Sequence, residues 1–218
     1  MKKIIAAVLV GSVALSSLVL SVQAASVHSG EVFLGKYVGT DKAELTFKVS
    51  ETAQTELLNN DVYKCISYWN NISGNVKVSY FLEGSGLSTS SKVMHVLGKK
   101  YNDGTVGETC PYDAAGRLTS SFVHTDWSAV MIYMNNDPDI YKALGDPLLS
   151  AQKTFIHEVG HSLKLAHPTK NSSVYGHNLN GYPYAVMNQG AADITGKTPP
   201  SPRTTWHDST CLKYKWGD

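Results

Sequence analysis

The segment HEVGHSLKLAH, residues 157–167, constrains this chain more than any other stretch of it. On an α-helix residues four apart share a face, so His157 and His161 present two imidazoles one turn apart, a spacing suited to one metal ion. Glu158 then stands beside such a site rather than in it, the place for a general base acting on a metal-activated water. On a continuous helix His167, ten residues beyond His157, would sit about 15 Å along the axis, out of reach. For His167 to be a ligand the chain must leave the helix between Leu163 and His167. Pro168 favours that exit, because it pushes the residue before it out of the α region. A catalytic zinc takes three protein ligands and keeps a fourth position for water, which matches three histidines and one adjacent acid.

The helix is encoded in the residues leading up to the motif. GDPLLSAQKTFIHEVGHSLK offers Asp146 as N-cap and Pro147 at the first helical position. Leu148, Ala151, Phe155 or Ile156, Val159 and Leu163 form its apolar face. Upstream, Leu45, Phe47 and Val49 alternate with polar neighbours as a half-buried strand does. Glu51 to about Trp69 predicts an amphipathic helix with Leu58, Val62, Cys65, Ile66 and Trp69 on its buried side. Val76 to Leu82 and KVMHVLG (92–98) predict two more strands. Residues 99–116, rich in Gly, Asp and Asn, predict a long loop with a short strand at TVGETC. RLTSSFVH (117–124) and AVMIYMNN (129–136) are further strand candidates, the second apolar enough to be central. Beyond His167 the pattern fades into Gly, Asn, Pro and Ser until DSTCLKYKW (208–216), which predicts a short helix capped by Asp208.

The N-terminus sets the compartment. Two lysines, an apolar run and the small-x-small pattern Val22-Gln23-Ala24 read as a secretory signal peptide over residues 1–24. Residues 25–44 read as a short N-terminal extension or pro-segment, and 45–218 as one catalytic domain. Cleavage takes Lys2 and Lys3 from the 19 basic residues and leaves all 18 acidic ones, so the mature chain carries a formal charge near −1. With no basic stripe, nucleic acid is excluded as a partner, as is stable membrane association after cleavage. A secreted, extracellular monomer is expected. Cys65, Cys110 and Cys211 are an odd set and cannot make a closed disulfide framework.

HEVGHSLKLAH resembles the metzincin metallopeptidase signature HExxHxxGxxH, and its surroundings look most like the matrixin branch. The family carries a methionine turn downstream, and YAVMNQG places Met187 twenty residues past His167. The resemblance implies an α+β zincin/metzincin catalytic domain: a twisted mixed sheet, a long N-terminal helix, an active-site helix and an irregular C-terminal subdomain. It implies one catalytic Zn2+ on His157, His161 and His167, with Glu158 as general base for a secreted endopeptidase. Further structural Zn2+ or Ca2+ stays open. A substrate strand would add to a sheet edge formed by TVGETC or RLTSSFVH.

The departure is Lys164, where the family has glycine. A left-handed conformation there costs a non-glycine residue roughly 1 to 2 kcal/mol, and its long cation would stand near the metal. Other third ligands are weaker: no glutamate follows Glu158, Asp193, Asp208 and His177 lack a matching local motif, and Cys110 would serve only a deformylase-like site. The rival function is a zinc-holding adhesin or inhibitor of the same fold with weak or no turnover.

Overall fold

The computed structural model describes residues 31–53, 61–85, 93–119, 125–167, 185–187 and 203–218. The expected leader (1–24), His177 and Asp193 lie outside them. The described chain is mixed α/β, built on one five-stranded sheet of order β2-β1-β3-β5-β4. The strands are β1 (Ala43–Val49), β2 (Val76–Leu82), β3 (Val93–Lys99), β4 (Gly107–Tyr112) and β5 (Ala129–Asn135). β1 pairs in parallel with β2 and β3, and β3 with β5; β4 alone runs antiparallel, against β5. The sheet is therefore mixed. Its one antiparallel strand lies at an edge.

Strand alternation decides which face carries the core. Ala43, Leu45, Phe47 and Val49 on β1, Met94 and Val96 on β3, and Val130, Ile132 and Met134 on β5 are all buried. They join one apolar cluster with Ala151, Phe155, Ile156 and Val159 of the motif-bearing helix. That helix, α3 (Pro147–Ser162), starts as its sequence requires: Asp146 caps it by accepting from the Leu149 N–H at 3.0 Å, and Pro147 occupies the first turn. A short helix, α2 (Pro138–Lys142), precedes it and has no counterpart in the sequence reading.

Two helix expectations need correction. The helix expected from Glu51 to Trp69 is described only as α1 (Val62–Ser67); Glu51–Ala53 form a turn, and 54–60 lie outside the described residues. Ala53 N–H donates to the Ser50 carbonyl and Gly98 N–H to the Thr52 hydroxyl, so these residues close a turn beside the sheet instead of starting a helix. Cys65, Ile66 and Trp69 are nonetheless buried, as their spacing predicts. The last helix, α4 (Trp206–Trp216), has Thr205 at its N-cap and not Asp208; the two form a capping box in which the Asp208 carboxylate accepts from the Thr205 N–H at 2.7 Å. Of RLTSSFVH, Leu118 makes a single bridge to Tyr112, and 120–124 are outside the described residues.

Candidate metal centre

Helix α3 brings His157 and His161 to one face, and its ending brings back the third histidine. Lys164 has φ 70°, in the left-handed region. Leu165 N–H donates to the Gly160 carbonyl at 3.0 Å and Lys164 N–H to the His161 carbonyl at 2.9 Å. This pair of bonds is a Schellman ending with a lysine where glycine is usual. The reversed chain then pairs with the N-terminal segment: Phe33 N–H donates to the Lys164 carbonyl and Ala166 N–H to the Glu31 carbonyl, both at 2.8 Å, around a Val32–Leu165 bridge. His167 is thereby placed over the helix face.

The His167 Nε2 lies 2.9 Å from His157 Nε2 and 3.0 Å from His161 Nε2. The other ring nitrogens face carbonyls: His157 Nδ1 is 2.7 Å from Val186 O, and His161 Nδ1 is 2.8 Å from Leu165 O. A carbonyl only accepts, so both Nδ1 atoms carry the proton and both Nε2 atoms turn lone pairs inward. His167 has one Nε2 proton at most and cannot satisfy both neighbours. A shared cation satisfies all three. Burial and the neighbouring imidazoles hold His157 well below the ordinary imidazole range, and burial followed by His167 brings His161 down to about 3. Burial also lowers His167. The rings are neutral at pH 7, as metal ligation requires.

Glu158 points to the sheet side of this cluster. It is buried, and its Oε2 accepts from the Thr109 hydroxyl of β4 at 2.7 Å. Burial pushes its carboxyl up to about 7, against the lowering effect of the Thr109 bond. Sequence reasoning missed Thr109, since nothing local marks a threonine on an edge strand. β4 comes this close because residue 107 is glycine: a Cβ there would lie 2.6 Å from Thr154 Cγ2 and 3.1 Å from Glu158 Oε1.

Met187 lies beneath the helix. A Cβ on Gly160, the fourth residue of HEVGH, would meet the Met187 sulfur at 2.3 Å and the Trp69 ring at 2.8 Å. Asp208 fixes this turn from α4, its carboxylate accepting from Val186 N–H at 3.0 Å and Met187 N–H at 3.2 Å. Asp208 is thus a support for the turn and not a third ligand. Cys110 is on β4 and outside the histidine cluster. The Lys164 side chain is also not among the histidines. It is fully buried, its Nζ 3.4 Å over the Trp127 ring and donating to the Thr125 carbonyl at 3.0 Å.

No known protein family matches the sequence, and no curated protein does. Among solved structures, archaemetzincin from Methanopyrus kandleri is similar at TM-score 0.43 and 14% identity, over 83% of this chain and 98% of that one. The GM1-bound form of the ECX AB5 holotoxin is similar at TM-score 0.44 and 14% identity, over 85% of this chain and 88% of that one. Likenesses this distant assign neither a family nor an activity. Among the described residues no helix is long and apolar enough to cross a membrane.

Proposed function

We propose that the chain is a secreted zinc-dependent endopeptidase of metzincin type, with His157, His161 and His167 as ligands and Glu158 as general base. The observation that carries this reading is the meeting of three imidazole Nε2 atoms, two with their lone pairs turned inward, beside a buried carboxyl that belongs to no ligand set. When bound, zinc supplies a Lewis acid for the scissile carbonyl and lowers the pKa of attacking water toward neutrality.

The chain's own residues do the rest. Thr109 holds Glu158 Oε2, so Oε1 takes the water proton and later delivers it to the leaving amine. A carboxyl held near neutrality suits both transfers. The substrate lies along β4, the edge strand beside α3. Pro111 O accepts from Thr119 N–H on the outer side, so by strand alternation Gly107 and Thr109 also turn their backbone groups outward. A peptide added there lies beside the strand whose Thr109 holds Glu158.

The test is casein or peptide hydrolysis by the purified chain, with zinc measured alongside. Glu158→Ala should keep its zinc and lose roughly 10²- to 10⁴-fold in turnover. His167→Ala should lose zinc, whereas His177→Ala should not. A wild-type chain that holds zinc on the triad yet cleaves nothing would favour the adhesin or inhibitor reading instead.

A further inference from the structure

Helix α4 carries a second pair of metal-ligating side chains at the spacing seen in the histidine motif. His207 and Cys211 are four apart and face one side of the helix. The N-terminal segment brings Glu31 against them, as the ladder through Leu165 brings His167 to the first cluster. All three side chains are buried, at 1% exposure for Glu31, 1% for His207 and 3% for Cys211. We infer that Glu31, His207 and Cys211 form a second, structural site for a divalent transition metal, zinc by the chemistry of its donors, separate from the three-histidine cluster.

Geometry is the first argument. Glu31 Oε2 lies 3.1 Å from His207 Nε2 and 3.4 Å from Cys211 Sγ, and Sγ lies 3.7 Å from Nε2. Tetrahedral zinc with ordinary bond lengths of about 2.0 Å to oxygen, about 2.05 Å to nitrogen and about 2.3 Å to sulfur separates these donors by about 3.3, 3.5 and 3.6 Å. Each observed edge falls within about 0.2 Å of that face.

Charge is the second argument. One carboxylate, one thiolate and a neutral imidazole carry two negative charges, which a divalent cation cancels, so no net charge is buried. Without a cation the Cys211 thiol donates to the Glu31 carboxylate at 3.4 Å. Nitrogen and sulfur donors select zinc over magnesium or calcium. The site would also be structural in effect. Glu31 O accepts from Ala166 N–H, next to His167, and Asp208, beside His207, holds the methionine turn.

Cobalt(II) tests this without using activity. The full chain, unfolded in chelator and refolded with cobalt(II), should bind two equivalents and show the near-ultraviolet thiolate-to-cobalt charge-transfer band, which three histidines cannot give. The band should persist in His157→Ala, with one equivalent retained, and vanish in Cys211→Ala. A folded wild-type chain with one equivalent and no band would overturn the proposal, as would a band that survives in Cys211→Ala. If Cys211→Ala does not fold, the zinc edge of the wild-type chain decides: sulfur in the first shell upholds the site, and nitrogen and oxygen alone overturn it. Loss of metal from His157→Ala with the band intact bears on the triad alone, so the two sites stand or fall separately.

Discussion

The three-histidine cluster and the Glu31–His207–Cys211 cluster are built by the same device and differ in what surrounds them. In each, a helix supplies two donors four residues apart, and the ladder between residues 31–33 and 164–166 positions the third. The triad is only partly covered: His161 and His167 are half-buried, and an edge strand flanks it. The second cluster is closed on all sides. Three neutral donors leave the charge of a metal uncancelled and free to act on a substrate, whereas a carboxylate and a thiolate neutralise it. One arrangement suits chemistry and the other suits anchoring. The difference comes from packing and donor type, since the helical spacing is common to both.

The largest expected effect is on metal release. Chelator should strip the half-buried triad and abolish activity, with recovery on adding zinc, while metal at the closed site leaves only as the chain unfolds. Release rates read with a chromogenic chelator should differ by orders of magnitude. A single fast phase accounting for two equivalents would erase the distinction between the clusters.

Next in size is Asp208→Asn, which removes the charged acceptor for the Val186 and Met187 N–H groups under the triad and for the Thr205 N–H at the start of α4, while belonging to neither donor set. It should lower stability by about 1.5 to 3 kcal/mol in denaturant unfolding. If the loss is far smaller, the methionine turn does not depend on α4. Thr109→Val separates Glu158 from the metal: zinc content should hold while kcat falls about tenfold and its pH profile shifts upward, since the bond to Thr109 lowers the Glu158 pKa. Unchanged kcat and profile would remove Thr109 from the machinery.

The smallest effect concerns Lys164, which lies on the ladder between the clusters. Relieving its left-handed backbone with glycine gains roughly 1 kcal/mol. The same change removes a buried hydrogen bond and a desolvated cation–π contact. The loss of these contacts opposes the gain from the backbone, so Lys164→Gly should stabilise the chain by less than the backbone alone suggests. The pH dependence has a definite sign. Burial brings Lys164 down to about 7, below its ordinary 10.5, so the unfolded chain binds the extra proton between these values. Its contribution is complete above pH 10.5 and is lost as pH falls toward 7. Wild type should gain stability relative to Lys164→Met between pH 7 and 10, and a flat difference would mean the amine is not desolvated.

Local pattern was enough for much of the chain. Alternation placed β1, β2, β3 and β5, and Asp146-Pro147 placed the start of α3, because these signals lie within a few residues of the element they specify. The need for the chain to turn back before His167 also followed from the sequence alone, through the length of a helix. The expected extent of the first helix did not hold, because the turn at Ser50–Ala53 is set by bonds to residues beside it and to Gly98 on another strand.

What only tertiary structure decided depends on partners distant in sequence. Thr109 meets Glu158 across 49 residues, Asp208 meets Val186 and Met187 across more than 20, and Glu31 reaches Cys211 across 180. The side chain of Lys164, which by spacing should stand near a metal, goes instead to Trp127 and Thr125. The sequence determined that two imidazoles share a helix face with an acid beside it, because helical periodicity is a local property. What supports that acid, what anchors the returning strand and which other donors meet in the interior are consequences of packing, and packing joins residues that no local period relates.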